Sequence, residues 1–362
     1  MKYSFPFQSL SSRLLLGSAA AFSLLACDPD DTTPEAVTIS PNSVLIVNEG
    51  NFQKSNADIS VFSKTSSSVV YKGAFAAAAK RELGDVAQSL SLQGNNAYIV
   101  VNNSNKLEVI SLPNFKPVAT VTGLQLPRYF AAASAAKGYV TETVKYDGSN
   151  GRVSVLNLTT NTVSKTIAVG VQPEQLLVAG SRLYVTNSGS NTVTVINTTT
   201  DAVEGTITVG DSPNSLVQDR DGNVWVLSGG KTYYNPDYTT DYTRTTKGSL
   251  AKIVPGQLTA TIREVASNRS SPSRLAINGA KSQLYYTYLG GVYTLGVADA
   301  TLPTTPLIRR SFYGLGIDPQ DGTIYGGLGS FTAADKVIRY RSTGAPLDSF
   351  TVGIGPNGFA FN

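Results

Sequence analysis

A short pattern recurs along this chain and constrains its fold more than any other feature: a proline is followed three positions later by a large apolar residue. It occurs at Pro127, Pro173, Pro213, Pro272 and Pro356, and two further copies lack the proline but keep the apolar anchor, at Leu90 and Leu315. The seven anchors, residues 90, 130, 176, 216, 275, 315 and 359, are separated by 40, 46, 40, 59, 40 and 44 residues. Repeats of about 40–45 residues are typical of β-propellers, in which each repeat forms one four-stranded blade. Seven anchors therefore predict seven blades.

The segment 171–210 shows what one repeat contains. It predicts strands at 175–178, 182–186, 192–197 and 202–209, with Gly, Ser, Asn and Thr at the turns between them. Beyond residue 27 the nearest approach to a helical pattern is at 74–83, which predicts one or two helical turns in a loop. We therefore predict an all-β fold. Two β-sandwiches are the alternative, but a sandwich gives no reason for a repeated anchor.

The two ends of the repeat region complement each other. The region opens at Ser43–Asn48 with a segment that matches the second strand of a blade. It finishes at 356–361 with a segment that matches a first strand and has no blade after it. The C-terminal strand is therefore predicted to complete the N-terminal blade, which would close the ring and leave no long unpaired sheet edge.

Residues 1–26 predict an export signal. Basic residues precede an apolar run at 14–25, which is shorter than the ~20 residues needed to span a bilayer. The run ends in Leu24-Leu25-Ala26-Cys27, which resembles the lipobox of bacterial lipoproteins. That resemblance implies that Cys27 carries a lipid and becomes the mature N-terminus. An ordinary secretory peptide with an incidental cysteine is the alternative.

The residues after Cys27 suggest where the protein faces. Asp28-Pro29-Asp30-Asp31 resembles the surface-export signal of lipoproteins in the Bacteroidetes lineage. We expect a signal peptide at 1–26, a lipid-anchored flexible tether at 27–42 and the propeller at 43–362. The expected location is the outer membrane, facing the cell exterior, with the lipid anchor as the only contact with the membrane.

Charge balance and the absence of histidine exclude several classes of function. The chain has 29 Lys and Arg against 25 Asp and Glu, and two of the basic residues lie within 1–26, so no basic footprint for nucleic acid is present. There is no histidine, which excludes Ser-His-Asp and Cys-His catalysis and His-ligated metals. We expect no cofactor, no catalytic residue and no nucleic-acid partner.

At two places the sequence resembles known propellers. Leu183-Tyr184-Val185-Thr186-Asn187, followed by a Val- and Thr-rich strand at 192–196, resembles the YVTN-repeat, or YncE-like, propellers. The opening Val47–Phe52 resembles the first blade of surface propeller lipoproteins of Bacteroidetes, a group that includes the vitamin B12-capturing BtuG.

This resemblance implies a surface protein that binds a ligand without turnover. The ligand would be a nutrient such as a corrinoid, captured for an outer-membrane transporter. Because a fold does not determine function, two alternatives stay open. One is an adhesion or scaffold propeller that binds a protein or a glycan, and the other is a calcium-dependent lactonase-like hydrolase.

Two sets of loops share one mouth of a propeller: those between the last strand of one blade and the first of the next, and those between second and third strands. From the first set we expect ligand contacts by Arg128, Tyr129, Glu174 and Tyr313, and from the second by Phe52, Tyr146 and Tyr288. The first set also contains Gln88, Asn214, Arg274 and Asn357.

The spacing of 59 residues marks an inserted loop that begins at 228 and carries Tyr233, Tyr234, Tyr238 and Tyr242. Tyrosine combines a flat apolar face with a polar tip, which suits a large planar amphipathic ligand, a glycan or a protein. We expect these tyrosines to form the main specificity element. The alternative is that they pack on each other and only hold the loop.

Several acidic residues are candidate ligands for calcium. Asp219-Arg220-Asp221-Gly222 partly resembles a calcium loop but lacks the distal glutamate. Asp318 begins a similar segment at the same turn of its blade, so we interpret both as structural turns and predict no metal site. Convergence of Glu49, Glu142 and Glu174 at the mouth would instead suit the lactonase-like alternative.

Overall fold

The computed structural model describes residues 36–112 and 114–362 of the chain. The strands in this part form seven antiparallel sheets, six with four strands and one with three. The predicted all-β, seven-bladed propeller is confirmed. The expectations for the signal peptide, for Cys27 and for most of the tether lie outside the described residues.

Each blade is one sheet, and the strands are numbered in chain order. Blade one comprises β1 (Ser43–Asn48), β2 (Asp58–Ser63) and β3 (Ser68–Tyr71), together with the last strand of the chain, described below. Blade two comprises β4 (Ala87–Gln93), β5 (Asn96–Val101), β6 (Lys106–Ser111) and β7 (Lys116–Val121). Blade three comprises β8 (Pro127–Ala132), β9 (Lys137–Glu142), β10 (Asn150–Asn157) and β11 (Thr162–Val171). Blade four comprises β12 (Pro173–Ala179), β13 (Arg182–Asn187), β14 (Thr192–Asn197) and β15 (Ala202–Thr208).

The remaining blades follow the same plan. Blade five comprises β16 (Pro213–Gln218), β17 (Val224–Ser228), β18 (Ser249–Ile253) and β19 (Thr261–Glu264). Blade six has three strands, β20 (Ser273–Ile277), β21 (Gln283–Tyr288) and β22 (Gly291–Gly296). Blade seven comprises β23 (Gly314–Ile317), β24 (Ile324–Gly327), β25 (Lys336–Tyr340) and β26 (Pro346–Thr351). The last strand is β27 (Pro356–Phe361), which joins blade one as its innermost, first strand, beside β1.

The repeat anchors mark the inner strands of the ring. Each of the seven lies in the first strand of its blade, namely β4, β8, β12, β16, β20, β23 or β27. These first strands contact one another in sequence around the ring, and β27 contacts β4. The wide spacing between the fourth and fifth anchors comes from the predicted insertion, because β17 ends at Ser228 and β18 begins at Ser249.

The ring closes through the pairing of the first and last strands. β27 pairs antiparallel with β1, with Val44 opposite Phe361 and Ile46 opposite Phe359. Behind this pair, the ring of Tyr325 in blade seven lies 5.4 Å from that of Phe361. The predicted closure of the N-terminal blade by the C-terminal strand is confirmed.

The hydrophobic core lies between neighbouring blades. A strand in the middle of a blade is covered on both faces, so it is apolar along its length, as in β5, where Ala97–Val101 are all buried. The outermost strand of the same blade, β7, alternates between exposed and half-buried residues. This gradient explains why the middle strands show little apolar–polar alternation in the sequence.

One short helix, α1 (Ala74–Ala79), follows β3, where one or two helical turns were predicted. The Asp58 carboxylate accepts hydrogen bonds from the backbone N–H groups of Phe75 and Ala76, at 2.9 and 3.3 Å, which satisfies donors of its first turn. Among the described residues, helices long and apolar enough to cross a membrane are absent.

Ending the chain at residue 354 should destabilise the whole ring. This truncation removes β27, so β1 keeps β2 but loses its backbone partner on the other edge, and the aromatic contacts of Phe359 and Phe361 with Tyr325 are lost. The lost burial should lower the melting temperature by about 10 °C, measured by circular dichroism. The variant Asn362→Ala is the matched control: it keeps the backbone hydrogen bonds of this residue and loses one exposed side-chain hydrogen bond, so it should melt close to the full-length protein. Equal melting of all three chains would show that this pairing does not hold the ring together.

Candidate functional site

Most inner strands depart from regular pairing at the point where they begin. The register to the next strand shifts in β4, β8, β12, β16, β20 and β27, and the shift leaves one or two residues without a direct partner. Such irregularities re-aim side chains and are common beside functional sites. The residues released in this way are Gln88, Arg128, Tyr129, Glu174, Gln175, Asn214, Arg274, Leu275 and Asn357.

All of these except Leu275 and Asn357 line one cavity of about 720 Å³, the mouth cavity. Loops between second and third strands complete its wall with Glu49, Phe52, Asn102, Asn103 and Tyr146. Both predicted loop sets therefore meet at one mouth. Phe52 and Tyr146 are 65% and 62% exposed, which places them at the rim.

Six of the predicted ligand contacts lie in this wall: Phe52, Arg128, Tyr129, Tyr146, Glu174 and Tyr313. Their assignment as ligand-binding residues stays a prediction. Gln175 and Arg274 also line the cavity but were not among the selected contacts. Both stand directly before the apolar anchor of their repeat, as Tyr129 does, so the anchor pattern itself would have indicated them.

Arg128 and Glu174 form an ion pair across two blades. The Arg128 Nε and Nη2 atoms each donate to one Glu174 carboxylate oxygen at 2.8 Å. Burial lowers the pKa of Arg128, but the negative charge of Glu174 and their hydrogen bonds outweigh it, so the pKa lies above its ordinary value. This geometry binds both oxygens of Glu174 and neutralises both charges within the cavity wall.

Tyr313 is the centre of a second cluster on the wall. Its hydroxyl donates to Glu49 Oε2, which also accepts a hydrogen bond from Asn357 Nδ2 at 2.9 Å. The Arg274 guanidinium lies 5.1 Å from the centre of the Tyr313 ring, and Phe331 meets that ring edge-on. Burial and then the neighbouring Glu49 charge raise the pKa of Tyr313 above its ordinary value, so its hydroxyl remains a donor at neutral pH.

The tyrosine-bearing insertion between β17 and β18 does not line the mouth cavity. Its base is closed by Lys231 and Thr246, where the Thr246 N–H donates to the Lys231 carbonyl at 3.0 Å. Asn268 Nδ2 donates to the Tyr242 and Thr245 carbonyls, which fixes the loop to the connection that leads into blade six. The loop is therefore held by its own hydrogen bonds and by its neighbour.

Cations cover two of the four tyrosine rings in this loop. Lys231 and Arg244 lie 5.0 and 5.4 Å from the centre of the Tyr233 ring, and Arg269 lies 4.6 Å from that of Tyr242. Tyr234 and Tyr238 are the more exposed pair, at 60% and 88%. The loop thus offers an open aromatic surface with positive charge beside it.

Tyr288 is not brought to the mouth cavity, contrary to the sequence-based expectation. It is 5% exposed, and its ring packs 5.5 Å from that of Tyr293. Its hydroxyl donates to the Ser267 carbonyl at 2.9 Å and accepts from the Ser267 N–H at 2.8 Å. It shares one face of β21 with the buried Tyr286, because alternate residues of a strand point to the same side.

The three glutamates proposed for the lactonase-like alternative do not all converge: Glu49 and Glu174 line the mouth cavity, but Glu142 does not. Glu142 is fully buried within blade three, where it accepts hydrogen bonds from Ser154 and Arg152, and it does not line the mouth cavity. Among residues 36–112 and 114–362, no group of three or more Asp, Glu and Cys side chains is placed to hold a metal ion.

The two Asp-containing turns have structural partners. Asp219 accepts hydrogen bonds from Trp225 Nε1 at 2.7 Å and from Asn223 Nδ2 at 2.9 Å. Asp318 forms an ion pair with Lys64 at 2.8 Å, which links blade seven to blade one. Both carboxylates therefore hold turns and neighbouring strands, as the sequence interpretation expected.

Comparison with known proteins identifies a family and a fold. The profile of a family described as "Domain of unknown function (DUF5074)" matches residues 42–318. No curated protein matches the sequence.

Several solved structures share the propeller fold. A quinonprotein alcohol dehydrogenase-like protein from Bacteroides thetaiotaomicron has a TM-score of 0.65 at 14% identity, covering 88% of this chain and 78% of its own. A 6-phosphogluconolactonase-like protein from Bacteroides fragilis has a TM-score of 0.63 at 12% identity, covering 92% of this chain and 100% of its own. A functionally unknown protein from Desulfotomaculum acetoxidans has a TM-score of 0.64 at 12% identity, covering 89% and 98%. At these identities the likeness concerns the fold alone.

Replacing Arg128 by glutamine should cost more stability than replacing both partners. Arg128→Gln leaves the Glu174 carboxylate without its two charged donors in a wall where both side chains are largely buried. We expect Arg128→Gln to destabilise the protein by about 1–2 kcal/mol, and Arg128→Gln with Glu174→Gln to recover part of that loss. Urea unfolding of both variants and of Glu174→Gln completes the cycle. Additive losses would mean that the two side chains do not interact.

Proposed function

The chain belongs to the DUF5074 family, and we propose that it binds a small-molecule ligand at the mouth of its propeller without chemical turnover. The observation that carries the proposal is that residues of several inner strands lack regular strand pairing and line one preformed cavity. Its volume of about 720 Å³ lies within the ~300–1,000 Å³ common for ligand sites. The aromatic rim and the few oriented polar groups below it suit an amphipathic ligand.

A more specific proposal concerns the location of the protein and the identity of its ligand. We propose a lipoprotein anchored through Cys27 at the outer membrane, facing outward, that captures a nutrient for an outer-membrane transporter. Cys27 is the only cysteine and stands directly after the predicted signal peptide, which supports anchoring. The resemblance of Val47–Phe52 to surface propeller lipoproteins makes a corrinoid the first ligand to test. A corrinoid is larger than the mouth cavity and would extend over the rim.

Binding without turnover is favoured by how the acidic residues are held. The chain has no histidine to act as a general base. Both oxygens of Glu174 are bound by Arg128, and Glu49 accepts hydrogen bonds from Tyr313 and Asn357. Each lining carboxylate thus has a fixed structural partner and is poorly placed to exchange protons with a substrate.

The tyrosine-bearing loop favours a second contact with the same or another partner. Tyr234 and Tyr238 are exposed outside the mouth cavity on a loop that is already ordered. Preordering lowers the entropy lost on binding. The loop therefore suits either the part of a large ligand that extends beyond the cavity or a protein or glycan in the adhesion alternative.

The anchoring proposal predicts a change of cell fraction. Cys27→Ser removes the proposed lipid acceptor, so the variant should lose lipid labelling and appear in a soluble fraction. Protease treatment of intact cells tests the outward orientation separately. Complete protection of the anchored protein in intact cells would contradict capture for a transporter at the cell surface.

The binding proposal predicts thermal stabilisation by a ligand. The purified propeller should melt higher with a corrinoid, because a ligand that binds only the folded state stabilises it. Glycans and calcium are screened beside it. Stabilisation by glycans alone would support the adhesion alternative, and stabilisation by calcium together with lactone hydrolysis would support the hydrolase.

A loop variant separates the cavity from the insertion. Replacing residues 232–245 by Asn-Gly keeps the paired Lys231 and Thr246 at the base. Melting should change little, because the loop tyrosines lie outside the hydrophobic clusters of the described residues. Corrinoid affinity should fall at least about tenfold, or 1.4 kcal/mol. Unchanged affinity would exclude the loop as a specificity element, and failure to fold would place it in the core.

A further inference from the structure

The charges that line the mouth cavity are not all equivalent. Two arginines and two glutamates contribute: Arg128, Arg274, Glu49 and Glu174. Arg128 and Glu174 neutralise each other through two hydrogen bonds of 2.8 Å. Glu49 is held by two uncharged donors, the Tyr313 hydroxyl and the Asn357 amide. Arg274 is therefore the lining cation whose charge is not neutralised by a hydrogen-bonded glutamate of the cavity wall.

Arg274 has no carboxylate partner. It takes part in none of the ion pairs formed within residues 36–112 and 114–362. The one hydrogen bond of its side chain in this part of the chain is a long one, 3.4 Å from Nη1 to the Asn357 carbonyl. A guanidinium carries five N–H donors. Most of the donors of Arg274 are thus available to a ligand in the cavity.

The backbone at Arg274 departs from the pattern of the neighbouring blades. In several other blades a residue in the left-handed region stands directly before the inner strand, as at Val86, Leu126, Gln172 and Ser212. In blade six the left-handed residue is Arg274 itself, with φ of 61°, inside β20. A non-glycine residue in this region costs energy and persists where the surrounding structure maintains it.

An aromatic surface lies beside this cation. The Arg274 guanidinium stacks 5.1 Å from the centre of the Tyr313 ring, and Tyr129 and Phe52 line the same cavity. This contact holds the guanidinium beside the ring and leaves its N–H donors free for an oxyanion such as a carboxylate or phosphate, which arginine binds in a bidentate manner.

From these contacts we infer that the mouth cavity selects an anionic ligand, in which a carboxylate or phosphate group binds Arg274 and a flat apolar part lies against the lining aromatic rings. This inference rests on the proposed function and names the ligand class for the same site. Arg128 does not serve this role, because its donors and its charge are already taken by Glu174.

The test compares two fluorescent dyes that share an aromatic framework and differ in charge. These are 8-anilinonaphthalene-1-sulfonate, which is anionic, and N-phenyl-1-naphthylamine, which is neutral. The full propeller should bind the anionic dye about tenfold more tightly, as expected for a charge-assisted contact. Arg274→Gln should remove this preference and leave the affinity for the neutral dye nearly unchanged, and Arg274→Lys should restore part of it.

A matched control removes one arginine charge outside the mouth cavity. Arg310 is exposed and does not line the mouth cavity, so Arg310→Gln should keep the preference for the anionic dye. Displacement of bound anionic dye by benzoate or by phenyl phosphate, but not by benzyl alcohol, identifies which oxyanion is preferred. Equal displacement by all three would overturn the inference.

The dye experiment also distinguishes failure of the proposed ligand-binding function from failure of the inference that Arg274 selects anions. If neither dye binds at the mouth, the proposed ligand-binding function fails. If both bind equally well, or if Arg274→Gln and Arg310→Gln have the same effect, the cavity binds ligands but Arg274 does not select anions. In that case the inference fails while the proposed function stands.

Discussion

The pairing of β27 with β1 is the contact on which the rest of the structure depends. Seven inner strands can surround one cavity only if the ring is closed, and this strand pair is the closing contact between the two ends of the folded chain. Without it, β1 and the core faces of blades one and seven would be open to water, and an open sheet edge invites pairing with other chains. Closure therefore sets both the stability of the propeller and the geometry of its mouth.

The mouth itself results from a local departure from ideal sheet pairing. Middle strands such as β5 are buried along their length and follow a regular ladder. The inner strands lose that regularity at their first residues, and the unpaired residues there line the cavity. The surrounding blades are rigid enough to carry these irregularities, because each is packed against two neighbours. Site and scaffold thus occupy different segments of the same strands.

The sequence predicted the fold well because the fold is repetitive. The spacing of anchors such as Leu176 and Leu216 indicated the blades, the inner strands and the insertion, and the structure confirmed each of these. Side-chain direction was harder to predict. Tyr146 reaches the rim, whereas Tyr288, expected at the same kind of loop, packs in the core, because a shift of one residue along a strand moves a side chain to the opposite face. The pairing of charged side chains could not be predicted either. Residue type does not show that Arg128 is neutralised while Arg274 is not, since this depends on contacts between blades.

Asn357 links the closure of the ring to the chemistry of the mouth. Its side-chain amide donates to Glu49, directly after β1, and to the Ala87 carbonyl in β4, while its own carbonyl accepts the hydrogen bond from Arg274. One residue of the last strand thereby contacts blades one, two and six. Glu49 is also held by its backbone, whose N–H donates to the Gly355 carbonyl just before β27. The second cluster of the wall therefore takes its final geometry only when β27 is in place. A chain whose site is completed by its last strand cannot present a preordered binding surface before the whole ring has folded.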